Sequence, residues 1–308
     1  MPELPDLTVY VESIAARVAG QPLRAFRVAS PFVVRTFDPP LSAAAGQRVL
    51  DVRRLGKRIV FALENGLFLV IHLMIAGRFR WAEAGAKIPG KVGLAALDFP
   101  SGTLLLTEAA TRKRASIHLA RALDEFRRGG IEPLECAAEE FEAALRRENH
   151  TLKRALTDPR LFSGIGNAYS DEILHRAKLS PALLTQRMSS DEARALFDAT
   201  RAILTEWTGR LREEARERFP EKVTAFRDDF AVHGKYKKPC PVCGTSVQRI
   251  AYADNETNYC PRCQTGGKLL SDRSLARLLH DDWPRTIEEL EERFPAPRKA
   301  GQKAGRRS

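Results

Sequence analysis

The sequence predicts an α+β protein of more than one domain, and three observations carry that reading. Between about residue 22 and residue 120, short apolar and alternating runs are divided by turn signals such as Glu64-Asn65-Gly66 and Pro100-Ser101-Gly102, the pattern of a β-sandwich or barrel. From 136 to about 230, apolar residues recur at helical intervals in EEFEAALRREN, LKRALTDPRLFSG, NAYSDEILHRAKL and SSDEARALFDATRAILTEWTGRLREEAR. Near the C-terminus, Cys240-x-x-Cys243 and Cys260-x-x-Cys263 enclose sixteen residues with β-type runs between them. A chain of 308 residues, 44% apolar, can bury a sizeable core, and its length suggests two domains.

Composition narrows the partners. No run approaches 18 uninterrupted apolar residues and no basic-plus-apolar leader opens the chain, so a soluble, cytoplasmic protein is expected and a membrane span is not. Fifty Lys and Arg against 39 Asp and Glu give a net charge of +11. With a sequence pI near 9.7, this favours a polyanionic partner, nucleic acid first. Four of the five cysteines form the two pairs, which is metal spacing rather than a secreted disulfide framework. Four thiolates make a closed tetrahedral site for one structural zinc, which holds a hairpin in shape and does no catalysis. Lys235, Lys237, Lys238 and Arg249 surround it with positive charge, and Cys136 reads as a buried, inert thiol.

The chain opens on Met1-Pro2-Glu3-Leu4-Pro5-Asp6. Removal of methionine before the small Pro2 would leave a secondary amine with a pKa near ~8, able to attack an electrophilic carbon and form an iminium. Glu3 and Asp6 would stand close by as carboxylates. Taken alone, the same six residues also read as an extended, turn-prone leader. Residues 7 to about 20 carry Leu7, Val9, Tyr10, Ile14 and Val18 at helical spacing and stop at Gly20, so a helix should present its positive end to the leader.

Within the β-rich part, Gly56-Lys57-Arg58 falls where one strand hands over to the next, and Lys57 there could reach a phosphate or stand as a solvated surface lysine. His72-Leu73-Met74-Ile75-Ala76-Gly77 forms an apolar tip, either core or exposed wedge. Thr111-Arg112-Lys113-Arg114 adds a basic loop suited to phosphate, and residues 129 to 134 look like a linker. In the helical part, Gly164-Ile165-Gly166-Asn167 joins two helices. Its glycines would let backbone amides approach a phosphate at the next helix N-terminus, with Asn167 and Lys153 adding donors, unless it is a plain turn. After Trp283-Pro284 a short acidic helix, IEELEERF, leads to PAPRKAGQKAGRRS, whose five Lys/Arg and no acids predict a disordered basic tail.

A PELP start, a β-rich domain with a turn lysine, a Gly-Ile-Gly-Asn helix junction and a four-cysteine hairpin, in that order, resemble the formamidopyrimidine-DNA glycosylase and endonuclease VIII family of base-excision repair enzymes. The match spans roughly residues 2 to 270. The resemblance implies an N-terminal β-sandwich flanked by helices, a helix-two-turns-helix domain with a zinc finger, and damaged DNA bound in the cleft between them by a monomer. The corresponding divisions are 1–128, a linker at 129–135, 136–232, a zinc hairpin at 233–270, a helical segment at 271–294 and the tail at 295–308.

By the same resemblance Pro2 is the nucleophile at the sugar anomeric carbon and Glu3 the general acid/base. Lys57 contacts phosphate beside the lesion, Lys153, Gly166 and Asn167 hold the same backbone, and strand cleavage follows by β- or β,δ-elimination. The nucleotide must be flipped out of the duplex.

Several positions depart from the family pattern. Asp6 stands where glutamate is usual, and Ile75, with Met74 beside it, aligns with the wedge that is commonly methionine or leucine. The segment around Arg112, Lys113 and Arg114 has no aromatic. Asn255 occupies the place of the zinc-hairpin arginine, leaving Arg249 or Lys268 to replace its phosphate contact. These changes point to a divergent branch whose lesion is neither 8-oxoguanine opposite cytosine nor a simple oxidised pyrimidine. Two other classes compete: a DNA-structure or abasic-site binding protein without glycosylase activity, and a zinc-hairpin RNA-binding protein, which the leader disfavours.

Overall fold

The computed structural model describes residues 1–221, 223, 226–252, 255–271 and 284–293. The basic tail at 295–308 and most of the segment at 271–294 lie outside these residues.

The first helix, α1 (Leu4–Val18), begins at the leader itself. Glu3 is its N-cap and donates its own N–H to Asp6 Oδ2 at 2.9 Å, with Pro5 in the first turn where a missing N–H costs nothing. The leader is therefore helical from Leu4 rather than an extended stretch before a helix, because Asp6 sits three residues after the cap and satisfies it. Leu7, Tyr10, Ile14 and Val18 form its buried stripe. The helix ends at Val18, and Gly20 at φ +76° turns the chain away.

Two four-stranded antiparallel sheets follow, open rather than closed into a barrel. One has the order β1 (Ala25–Val28), β6 (Gly93–Phe99), β7 (Gly102–Glu108), β5 (Gly77–Ala82). The other runs β2 (Val49–Leu55), β3 (Arg58–Leu63), β4 (Phe68–His72), β8 (Ser116–Ala120). Tyr10, Ile14, Phe61, Ile71, Phe79 and Leu104, all fully buried, join α1 and both sheets in one core.

The second core belongs to α2 (Ala138–Arg146), α3 (Leu152–Thr157), α4 (Asn167–Arg176) and α5 (Ser190–Glu214), with Phe141, Phe162, Leu174 and Trp207 inside it. Cys136 is buried here as a free thiol. Helix α3 stops at Thr157, short of the helical run read from sequence, because Pro159 follows its C-cap Asp158 and holds that residue in an extended conformation. Helix α5 opens on a reciprocal cap in which Ser189 Oγ accepts the Glu192 N–H and Glu192 accepts the Ser189 N–H. It ends at Glu214, so the described residues from 216 to 230 are irregular rather than helical.

Leu4 belongs to this second core although it lies on α1, and its N–H donates to Gly164 O at 2.9 Å. Arg54 on β2 pairs with Glu132, which also accepts from Ser163 Oγ at 2.6 Å. Arg212 on α5 holds Glu12 on α1 through two nitrogens. The chain's start is thus clasped between the domains. A hairpin of β9 (Gln248–Tyr252) and β10 (Asn255–Tyr259), then α6 (Pro261–Thr265) and α7 (Ile287–Arg293), complete the described structure. No helix among the described residues is long and apolar enough to cross a membrane.

Candidate nucleic-acid cleft and zinc centre

Pro2 and Glu3 are buried where the two domains meet. With Met1 attached, the Pro2 nitrogen is an amide, and burial pushes the Met1 amine below the usual range. The Glu3 carboxylate reaches across to the start of α4. It accepts N–H groups from Gly166 at 2.6 Å, Ala168 at 2.9 Å and Tyr169 at 3.2 Å. The amides at the start of α4, expected to approach a phosphate, instead hold the protein's own Glu3 carboxylate in this structure. Gly166 is required by closeness: a Cβ there would lie 2.5 Å from Glu3 Cδ and 2.7 Å from Lys57 Nζ.

Lys57 sits in the β2–β3 turn after Gly56, whose φ of +59° reverses the chain. Burial pushes its ammonium below the ordinary lysine range, and Glu3 opposes that shift. Lys153 also faces Lys57 electrostatically. Its ammonium donates to Asn167 O at 2.7 Å, Ser170 Oγ at 2.8 Å and Asp171 Oδ1 at 2.6 Å, so all three protons are committed to α4. Asn167 is the first residue of α4.

The tip after β4 places Leu73 in the core, Met74 at φ +54° and Ile75 55% exposed. His72 Nδ1 accepts the Met74 N–H at 3.0 Å. Burial first, then Arg58, Lys57 and His118, push the His72 imidazole down to about 4. His72 also pairs in register with Ser116, the first residue of β8, so the tip and the basic loop before β8 lie at one end of the sheet. That loop is folded by buried Glu108, whose carboxylate accepts the N–H groups of Arg114 at 2.8 Å and Ala115 at 3.1 Å. Lys113 turns inward to Glu108 O, while Arg112 and Arg114 remain exposed.

The Sγ atoms of Cys240, Cys243, Cys260 and Cys263 lie within 4.8 Å of one another. Tetrahedral zinc with Zn–S of about 2.3 Å puts its sulfurs about 3.8 Å apart. The Cys240–Cys263 and Cys243–Cys260 separations of 3.9 and 3.4 Å fit that geometry, and the site takes one structural zinc. Around it, Arg249 stacks over Tyr236 at 4.5 Å and approaches Glu256 at 3.5 Å, while Lys235 donates to Asp228 O at 2.8 Å. Asn255 begins β10, paired with Tyr252.

Three functional neighbours escaped the sequence reading. Asp171 accepts from Lys153, from Asn258 N at 3.1 Å and from His233 Nδ1 at 2.7 Å. Glu172 accepts the N–H groups of Ala231, Val232 and His233. Arg227 pairs with Asp6 at 3.1 Å, and its Nε has no hydrogen-bond partner among the described residues. A cavity of about 630 Å³ opens beside them, lined in part by Asp6, Arg17, Trp81, Phe219 and Arg227. Burial raises the Asp6 carboxyl to about 6 despite the Glu3 N–H and Arg227. Acidic residues inside the S-D-E run of α4 carried a signal, since three consecutive polar residues on a short helix in a core need partners.

The fold and site define a two-domain zinc protein whose N-terminus is inserted between a β-sandwich and a helical domain and ringed by cations. Family models match in three consecutive pieces: the formamidopyrimidine-DNA glycosylase N-terminal domain over residues 1–117, its H2TH domain over 130–210, and the zinc finger found in FPG and IleRS over 237–266. The formamidopyrimidine-DNA glycosylase of Solibacter usitatus is 32% identical across 86% of this chain and 99% of its own. That of Thermus thermophilus is 34% identical across 87% and 100%. A solved complex between the Lactococcus lactis Fpg and an abasic site containing DNA superposes with a TM-score of 0.75 at 25% identity, over 85% of this chain and 99% of that one. The chain belongs to the formamidopyrimidine-DNA glycosylase family.

Proposed function

We propose that the chain is a bifunctional DNA glycosylase and abasic-site lyase of base-excision repair, acting on damaged DNA as a monomer in the bacterial cytoplasm. The observation that carries the reading is the buried junction of Pro2, Glu3, Lys57 and the start of α4. One residue from the candidate nucleophile, a carboxylate is held by three backbone amides and faced by an ammonium.

With Met1 removed, the Pro2 amine attacks C1′ of the damaged nucleotide. The bond from C1′ to the base breaks, the base leaves with a proton, and loss of the amine proton with ring opening gives the C1′ iminium. Glu3, next to Pro2 in the chain, takes the proton lost by the amine and passes it to the sugar ring oxygen, while water supplies the proton of the departing base. The iminium acidifies C2′, so removal of a C2′ proton expels the 3′ phosphate. A second elimination at C4′–C5′ expels the 5′ phosphate, and hydrolysis frees Pro2. Lys57, desolvated beside Glu3, supplies the cation for the lesion phosphate. Lys153 and Asn167 act on the same backbone through the start of α4, and Arg112 and Arg114 offer further phosphate contacts. Ile75, with Met74, fills the gap left in the stack.

The cavity beside Asp6 has room and aromatic walls for the extruded base, and the Arg227 guanidinium in its wall offers a polar partner. The departures at Asp6, Ile75, the aromatic-free loop around Arg112 to Arg114 and Asn255 are the basis for a lesion other than 8-oxoguanine opposite cytosine or a simple oxidised pyrimidine.

Borohydride reduction during incubation with an abasic-site duplex tests the chemistry. A covalent adduct is expected on the tryptic peptide from Pro2 to Arg17, at the amine of Pro2. An adduct on Lys57 would overturn the nucleophile, and no adduct, with DNA still bound, would leave a binding protein instead. A panel of defined lesions in single- and double-stranded DNA, scored separately for base release and cleavage, then reads the substrate.

A further inference from the structure

One surface feature has no part in that chemistry. Phe32 and Phe37 are 84% and 92% exposed, the most open of the large apolar side chains among the described residues. They rim a groove of about 640 Å³ with Val28, Pro31, Val34 and Arg35. Leaving a phenylalanine in water forgoes about 1.5–3 kcal/mol of burial, so two neighbouring exposed rings mark a surface built to meet something.

The backbone beneath them is fixed. Pro31–Val33 forms a 3-10 turn pinned by buried Val33. Val34 bridges Ile117 in parallel, Arg35 N–H donates to Ile117 O at 2.9 Å, and Thr36 Oγ1 meets His118 Nδ1 at 3.4 Å. Asp38 is neutralised by Arg121 through two contacts. The segment therefore covers the outer edge of β8, running parallel to it.

This direction decides the occupant. Because the two segments run parallel, Phe32 lies toward the start of β8, where Arg112 and Arg114 precede it and the tip bearing Ile75 is level with it across the sheet. Phe37 lies farther along, toward Ala120 and Arg121, and exposed Arg35 stands between the two rings. The groove lining contains a cation and no acid among the described residues. Alternating aromatic, arginine and aromatic side chains that continue a basic, wedge-bearing edge suit a chain of unpaired bases on a phosphate backbone, since every base offers a face for stacking.

We propose that Phe32, Arg35 and Phe37 form a stacking track for an unpaired DNA strand that leaves the cleft past Ile75 and Arg114. The track rests on the DNA reading of the cleft but takes no part in the chemistry there. It gives the protein a preference for damage beside a fork or gap.

The test is fluorescence anisotropy of the full zinc-bound chain on two probes that share an uncleavable tetrahydrofuran abasic analogue. One is a blunt duplex and the other carries a single-stranded arm beside the lesion. Phe32→Ala/Phe37→Ala should lose about tenfold affinity for the armed probe and less than twofold for the blunt one. Phe32→Tyr/Phe37→Tyr should restore it. Arg35→Ala should lower the salt slope on the armed probe alone, by about 0.7. Equal behaviour of the alanine variant on both probes, whether unchanged or equally weakened, overturns the track. A wild-type dimer in sedimentation that the alanine variant fails to form, with DNA affinity untouched, overturns it in favour of a second copy of the chain. Failure of the wild type on the blunt probe would instead count against the DNA reading itself.

Discussion

At the scale of single residues, the cleft depends on groups whose protons are already committed. His72 shows this most directly. Its Nδ1 accepts the Met74 N–H and so helps hold Met74 in the left-handed region that a non-glycine residue rarely adopts. A proton on Nδ1 would abolish that bond. Burial, reinforced by Arg58, Lys57 and His118, sets the folded value at about 4, below the unfolded value of about 6.5. The unfolded chain therefore binds more protons between these values, and stability rises with pH across the window. The contribution is complete above about 6.5 and is lost as pH falls through about 4, amounting to at most about 3 kcal/mol for this half-buried ring. Urea midpoints measured across that range should fall with acidity in the wild type. The fall should be shallower in His72→Asn, whose amide oxygen can accept the same N–H. Identical slopes for the two proteins would show that another group governs the acid limb.

At the scale of the element, α4 is the part on which most of the site converges. Its first amides hold Glu3, its middle carries Asp171 and Glu172, and His175 near its end meets Cys240 Sγ at 3.3 Å. Gly166 sets how closely this helix approaches Glu3. Gly166→Ala would drive a methyl group into the Glu3 carboxylate and Lys57, so backbone or carboxylate must shift. Overpacking of this kind costs about 1–3 kcal/mol. Displacing a general acid forfeits about 10²-fold in rate or more. The expected result is a protein that melts lower, keeps its zinc and releases base at least a hundredfold more slowly. Wild-type turnover in Gly166→Ala would mean that Glu3 is not the proton donor.

The same helix shows what could be read from the chain beforehand. Gly56-Lys57, the Gly-Ile-Gly-Asn junction, the tip at Met74-Ile75 and the cysteine pairs were legible because each is a local pattern whose geometry follows from a few adjacent residues. The Asp171 and Arg227 contacts were not, since they join positions 18 and 221 residues away along the chain, and only tertiary packing brings these together. The hydrophobic period begins at Leu7 and so puts the start of α1 three residues late, whereas the cap is set by the Glu3 to Asp6 hydrogen bond. The inward turn of Lys153 was hidden for a related reason: a lysine's sequence position says nothing of how many acceptors surround its ammonium.

At the scale of the whole molecule, the zinc hairpin and the buried Glu3 junction are joined by hydrogen bonds that run through α4. Asn258 of β10 donates to Asp171, Gln264 of α6 donates to Leu179 O, and residues 231–233 hang from Glu172, so the hairpin's register is fixed by groups on or beside α4. Structural zinc contributes about 10–16 kcal/mol to small cysteine-bound folds, far more than the described hairpin of two short strands could replace. Chelation should therefore unfold the hairpin while leaving the two sheets and their core standing. Asp171 would then keep Lys153 but lose Asn258, and Arg249 would lose its place over Tyr236 beside the zinc site. The expected result is rapid tryptic cleavage at Arg249 and Arg262, at least tenfold weaker binding to an abasic duplex, a shallower salt dependence, and recovery of all three on adding zinc. Asp171→Asn separates the hairpin from the junction. It retains the cysteines and so should retain zinc, yet it removes the charge that pairs with Lys153, at a cost of about 3 kcal/mol for a buried pair broken on one side. If the chelated protein binds DNA as tightly as the zinc-bound form, the hairpin is not part of the DNA surface and α4 transmits nothing to it.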